Sequence, residues 1–325
     1  MEFVLPESIG TRDTQSLYSL CGKILQSDAQ KITLNAQYVR FIDPLGLAVL
    51  GALLSSYPGR QFAMPWMSTD VAGYMDRMNF FRHFDVGDIL VPNRARIDQS
   101  SGLVELTCVR EGIESESVAN RLADAITGEL TESKPTVVHD MNTPSSQFER
   151  FRHPIWYSLS ELIENALTHA RRDGHVNIAV WVAAQFYRST GIVRLAVVDN
   201  GCGVLHTLRN HARLREKTHL AAIEAALEPK VSCNRDMPFN EHGNQGVGLT
   251  TTYRIARAGR GGLLIASGNS QYHTQQKSGA VLPHGGLWKG VAIAFHCRRS
   301  ALPSIRVGEL LPPEPRLVPV EFLDD

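Results

Sequence analysis

Gly191-Ile-Val-Arg-Leu-Ala-Val-Val-Asp199-Asn-Gly201-Cys-Gly203 is the stretch from which the fold can be read. Its first eight residues are mostly β-branched and aliphatic and read as a strand. The strand runs directly into a carboxylate and two glycines. An acceptor carboxylate at a strand end, beside glycines that let backbone approach closely, suits contact with the edge of a flat base. Taken alone, Asp-Asn-Gly is also an ordinary turn, because Asp and Asn bond their own backbone and Gly accepts positive φ. The segments on either side bear on that choice.

Upstream, Tyr157 to Arg171 has a helical period. Leu159, Leu162, Ile163, Ala166, Leu167 and Ala170 fall on one side, while Glu161, Asn165 and His169 recur at every fourth position on another. Residues four apart lie about 6 Å apart on one helix face. A carboxylate and an amide oxygen therefore address the same space. That suits one magnesium ligand and one water-activating base, since magnesium takes oxygen ligands and keeps several waters. In isolation the same stripe is also what a solvated helix face looks like. Downstream, Gly243-Asn-Gln-Gly246-Val247-Gly248-Leu249 is a glycine-rich turn entering a helical stretch, Leu249 to Ala258. Glycines there let backbone N–H groups close around phosphates, and a helix start favours anions. A lone glycine-rich loop is weak evidence; the three segments in order, within about ninety residues, are far more specific.

Together the segments resemble the N, G1 and G2 boxes of the GHKL, or Bergerat-fold, ATPases. That superfamily includes type II topoisomerases, ATP-driven chaperones, MutL, sensor histidine kinases and anti-sigma-factor serine kinases. The resemblance implies ATP and Mg2+ as ligands. It makes Asn165 the magnesium ligand, Glu161 the general base and Asp199 the acceptor for the adenine amino group. Gly201 and Gly203 would shape the adenine pocket. Gly243, Gly246, Val247, Gly248 and Leu249 would form the phosphate-side hinge of a lid. The resemblance covers roughly residues 100 to 297 and extends to Gly262–Gly268 and Trp288–Phe295, which resemble the family's next and last strands. There the family often has Gly-Thr, whereas this chain has Gly290-Val291. The G2 glycines are also spaced one residue wider than in the commonest form.

The first 90 or so residues read as a separate unit: a strand at Lys31 to Asn35, an apolar helix to Ser55, a polar turn at Tyr57-Pro-Gly-Arg60, a short strand, and a helix around Val71 to Phe80. Phe41-Ile-Asp43-Pro-Leu-Gly-Leu-Ala-Val-Leu50 resembles the core signature of STAS domains, the anti-sigma-factor antagonist fold. Phosphorylatable members carry hydroxyls where this chain has Pro44 and Leu45, so that switch is excluded at this spot. Asp43 and Pro44 fit an N-cap and first helical position. The unit reads either as a docking or oligomerising module, using an exposed helix start, or as a generic cap on the ATP domain. As a docking module it would leave residues 100 to 325 able to bind nucleotide alone.

The expected organisation is α/β: an α+β two-layer sandwich of Bergerat type at 100–299, a smaller STAS-like α/β module at 1–92, and a proline-rich tail at 300–325, expected to be extended. A polar linker, about Val91 to Gly102, joins the first two. Leu103 to Arg110 reads as a strand, and Glu114 to Leu130 as an amphipathic helix with Val118, Leu122, Ala125, Ile126 and Leu130 on its apolar side. Thr218 to Leu227 reads as a helix. Lys230 to His242 has few regular signals and is read as the nucleotide lid, with His206, His211, His219 and His242 in or beside it at no convincing metal spacing.

The 325 residues hold 33 basic and 33 acidic side chains, so net charge supplies no argument for nucleic acid or membrane binding. The longest apolar run, around Gly46 to Leu54, is too short to span a bilayer, and the start carries no signal-peptide pattern. The five cysteines, at 21, 108, 202, 233 and 297, have no paired spacing and read as free thiols in a cytoplasmic protein. Cys202 reads as a small filler. Three functions stay open: an ATPase switch, a protein kinase of the anti-sigma serine-kinase type, and a nucleotide sensor that turns over negligibly. A protein partner or a homodimer would engage the N-terminal module.

Overall fold

The computed structural model describes residues 1–92, 102–127, 147–170, 178–229, 231 and 248–311. It is a mixed α/β structure. The N-terminal part runs β1 (Glu2–Val4), β2 (Ser8–Ile9), α1 (Thr14–Leu25), β3 (Lys31–Asn35), β4 (Phe41–Ile42), α2 (Pro44–Ser55), β5 (Gln61–Ala63), α3 (Thr69–Arg77), α4 (Phe80–His83) and β6 (Val86–Gly87). Strands β1, β3, β5 and β6 form a parallel sheet in the order β1-β3-β5-β6, and β2 pairs with β4 beside it. The remainder runs β7 (Leu103–Val109), α5 (Gly112–Thr127), α6 (Gln147–Ala170), β8 (Val180–Tyr187), β9 (Ile192–Asp199), α7 (Val204–Leu208), α8 (His219–Ala226), α9 (Gly248–Ala258), β10 (Gly262–Gly268), β11 (Ser270–His273), β12 (Ser278–Val281), β13 (Trp288–Arg298) and α10 (Val307–Leu310). Here all the strands join one antiparallel sheet of order β12-β11-β10-β13-β9-β8-β7.

Side chains alternate across that sheet, as a two-residue period requires. Val180, Val182, Val193, Leu195, Val197, Ile293 and Phe295 face α5, α6 and α9. Ala179, Trp181, Ala183, Ala196, Val198, Ala292 and Ala294 point to the other face, into the cluster that holds the N-terminal core. A register shift between Val104 and Thr107 puts Leu103 and Leu106 together on this second face.

Helix α2 is what covers that face. Every residue from Pro44 to Leu54 is buried. A helix apolar all round belongs inside a core, and α2 lies between the parallel sheet's core and strands β8 and β9. The alanines of the second face leave room for its backbone. Burying each Leu or Val contributes roughly 1.5–3 kcal/mol, so the run Leu45 to Leu54 holds the two parts together.

The start of α2 is therefore closed, contrary to the contact surface expected there. Asp43 is 0 % exposed. Its carboxylate caps the helix from Gly46 N–H at 3.1 Å and accepts the Thr11 N–H at 2.9 Å and the Thr11 hydroxyl at 2.5 Å. Arg194, on β9, reaches the same carboxylate at 3.4 Å. The tail also departs from the extended chain expected. Arg299–Ser304 is a 3-10 helix and α10 follows, with Leu302, Ile305 and Val307 buried in the core under α6. Residues 312–325 and most of the linker, 93–101, lie outside the described residues. Helix α6 starts ten residues before Tyr157 and runs through Pro154. Among the described residues no helix is long and apolar enough to cross a membrane, and Cys21, Cys108, Cys202 and Cys297 form no disulfide there.

Candidate functional site

Asp199 ends β9, a central strand held by β13 and β8, and is 2 % exposed. Its Oδ1 accepts the Gly201 N–H at 2.8 Å. Its carbonyl accepts the Trp288 indole N–H at 3.2 Å. Burial pushes its carboxyl up to about 7, against the backbone N–H groups of Gly201 and Val291, which favour the charged form. Gly290 crosses directly over it: a Cβ there would overlap the Asp199 carbonyl and Oδ1. Gly290-Val291 thus retains the glycine that the resemblance calls for, and Val291 presents an apolar wall in place of a hydroxyl.

Gly201 packs on the backbone of Ala170, at the end of α6, with no room for a side chain. Gly203 has φ +79, conformationally suited to glycine, and precedes α7. The Val204 N–H donates to Ser267 Oγ at 3.0 Å, and Ser267 donates to Gly290 O at 2.9 Å, joining this turn to β10 and β13.

Glu161 and Asn165, one turn apart on α6, are partly buried. Both lie against Gly248 at the start of α9: a Cβ on Gly248 would overlap Glu161 Oε2 and sit 3.1 Å from Asn165 Nδ2. Burial lifts the Glu161 carboxyl to about 7, with the Glu164 charge adding to the rise and a hydrogen bond from Tyr157 opposing it. Tyr157, one turn earlier on α6, is itself raised to about 12 by burial and by the Glu161 charge.

Asn165, Asp199, Gly203, Gly248 and Leu249 line one pocket of about 110 Å³. Its other walls are apolar: Leu162, Ala166, Val197, Val291 and Ile293 among them, with Val204, Thr207 and Leu208 from α7. Glu161 touches the Gly248 end, and Gly201 braces the turn from behind. Gly243, Gly246, Val247, His242 and most of the expected lid lie outside the described residues. Of the other histidines near the expected lid, His219 sits at the first turn of α8 against Gly268, and burial lowers its pKa. Among the described residues no group of three or more His, Cys, Asp or Glu side chains is placed to share a metal ion.

The site fits a flat base bearing an amino group: a buried acceptor carboxylate, held by backbone N–H groups, at the base of an apolar slot. An amide and a carboxylate at a helix start fit the phosphate end and a magnesium ion, which needs few protein ligands when phosphates supply the rest.

The sequence reading did not single out several supporting residues. Trp288, Ser267, Asn200 and α2's Ser56 brace the Asp199 turn, and their polar side chains come together only after the sheet forms. Strand β8, absent from the expectations above, carries its own signal in the apolar run Val180-Trp-Val-Ala-Ala. No protein-family model matches this chain, and no curated protein is significantly similar to it.

Proposed function

We propose that this chain is a magnesium-dependent ATP-binding protein of the GHKL class that hydrolyses ATP and acts as a nucleotide-driven conformational switch in a regulatory complex. In this reading residues 100–299 form a Bergerat-type sandwich and residues 1–92 a STAS-like module. One observation carries it. Asn165, Asp199 and Gly248, drawn from three separate segments, meet in a single pocket, with the Glu161 carboxylate at its Gly248 end.

Asp199 would accept a hydrogen bond from the adenine amino group, and the apolar walls would exclude water from the base. Asn165 would give one oxygen to magnesium. Magnesium ATP would supply an electrophilic γ-phosphorus and ADP as the leaving group, the metal offsetting negative charge on the phosphate oxygens. Glu161 would orient a water and take its proton. A carboxyl titrating near 7 is well matched to that task at neutral pH. The start of α9 would set backbone N–H groups toward the phosphates.

The test is to incubate the purified chain with γ-labelled ATP and magnesium, alone and with candidate partner proteins. Label released as phosphate, abolished by Glu161→Gln, supports the ATPase. Label transferred to a protein replaces it with a kinase. Label retained on bound ATP leaves a nucleotide sensor.

A further inference from the structure

The Asp199 turn is tied to the N-terminal part through Asn200. Asn200 Oδ1 accepts the Ala179 N–H at 3.1 Å, and its Nδ2 donates to Ser56 Oγ at 3.1 Å. Ser56 caps the C-terminal end of α2 and donates its own hydroxyl to Ala52 O at 2.7 Å. That hydroxyl both donates and accepts, so its orientation is set from within α2. Next to it, Ser55 donates to Ala52 O at 3.0 Å and accepts the Trp181 indole N–H at 3.0 Å. Trp181 pairs with Val198, the residue before Asp199. The end of α2 thus holds the turn directly through Ser56 and Asn200, and holds the neighbouring strand β8 through Ser55 and Trp181.

Asp199 depends on that grip. Its carboxylate accepts the backbone N–H groups of Gly201 and Val291, so its direction follows the backbone of residues 199–201 against β13. Gly201 and Gly203 allow this backbone wide freedom. Asn200, between Asp199 and Gly201, has a side chain anchored at both ends, to the residue before β8 and to the end of α2.

We propose that Asn200 is a positioning residue for base recognition, and that Ser56 of α2 supplies its anchor. The N-terminal part then takes part in base selection without touching the base. This inference rests on the nucleotide reading of the pocket.

Calorimetric titrations of the full chain with magnesium and two ligands test it: ADP, and the diphosphate of purine riboside, which lacks the amino group. Wild type, Ser56→Ala, Ser56→Thr, Asn200→Ala and the Ser56→Ala/Asn200→Ala pair are compared. Ser56→Ala and Asn200→Ala should each weaken ADP by on the order of tenfold, as for one hydrogen bond. Purine riboside diphosphate should bind unchanged. The double variant should be no weaker than Asn200→Ala, and Ser56→Thr should restore the ADP preference. Unchanged ADP affinity in Ser56→Ala overturns the proposal, as does parallel weakening of both ligands, which marks a general structural loss. Wild type that binds neither ligand removes the nucleotide reading itself, a failure visible before any variant is made.

Discussion

Gly248 and Glu161 share a space that admits only one of two things: the carboxylate of Glu161 or a methyl group on Gly248. Gly248 starts α9 and Glu161 lies mid-way along the second half of α6, so this contact joins the amide-and-carboxylate face of one helix to the N-terminus of another. It explains a glycine at a helical position, where glycine is otherwise unfavourable.

Gly248→Ala should therefore fold and yet fail in turnover. The atom displaced is the far end of a flexible side chain, so Glu161 can rotate away at small cost to the fold. We expect turnover to fall by about 10²–10⁴-fold, the range for loss of a general base. Glu161→Gln should fall as far, and the double variant no further. Thermal melts together with steady-state rates decide it; a Gly248→Ala protein with wild-type turnover places the base elsewhere.

Turnover should depend on pH through Glu161. Its carboxyl titrates near 7, and only the ionised form can take a proton from water. The ratio kcat/KM for magnesium ATP, which reports ionisations of the free protein, should drop at least tenfold per pH unit well below 7 and level off above it. Asn165→Ala should leave that profile in place and instead weaken magnesium-dependent nucleotide affinity, since one metal oxygen is lost. A flat kcat/KM between pH 5.5 and 8, values spanning the range for tuned carboxyls, would count against Glu161 as the base.

Asp199 should cost the ligand-free protein stability. Its ordinary value, 3.8, rises to about 7 in the fold. Between those values the folded chain holds a proton that the unfolded chain has released. Stability from this group is complete below the lower value, falls as pH rises through the window, and is lost above about 7. Glu161 works in the same direction, from 4.5 to about 7. The ligand-free unfolding free energy should therefore decline from pH 5 to pH 8, on the order of a few kcal/mol in all, and the melting temperature with it. Asp199→Asn should melt higher than wild type at pH 8 and bind ADP one to two orders of magnitude more weakly, as expected when a charge-assisted hydrogen bond is lost. Equal pH slopes for the two proteins would show that Asp199 is ionised throughout.

Removal of residues 1–92 should not leave a working ATP-binding fragment. Helix α2 covers Ala179, Trp181, Ala183, Ala196, Val198, Ala292 and Ala294, and its loss would bare that apolar face to water. Exposed patches of this kind drive association. Residues 100 to 325 expressed alone should be aggregated or unfolded by size exclusion and circular dichroism. A monomeric fragment that binds ADP with wild-type affinity would show the N-terminal part to be dispensable.

The sequence alone determined what depends on local order. The strand ending at Asp199, the four-residue spacing of Glu161 and Asn165, the α9 start at Gly248, and the Asp43-Pro44 entry to α2 all follow from neighbours along the chain, through period, capping and turn chemistry. The apolar run from Leu45 to Leu54 also announced a helix. What it could not announce was the second surface doing the burying. Only the tertiary structure decided that α2 lies between two sheets, that the register shift near Thr107 turns Leu106 toward it, and that the run after Ser300 folds back beneath α6. Those outcomes depend on side chains far apart in sequence, whose pairing is set by complementary shape across a closed core. The same holds for Ser56 and Asn200. Each is an unremarkable polar residue at the end of its own element, and they come together only because one helix and one sheet bury their apolar faces against each other.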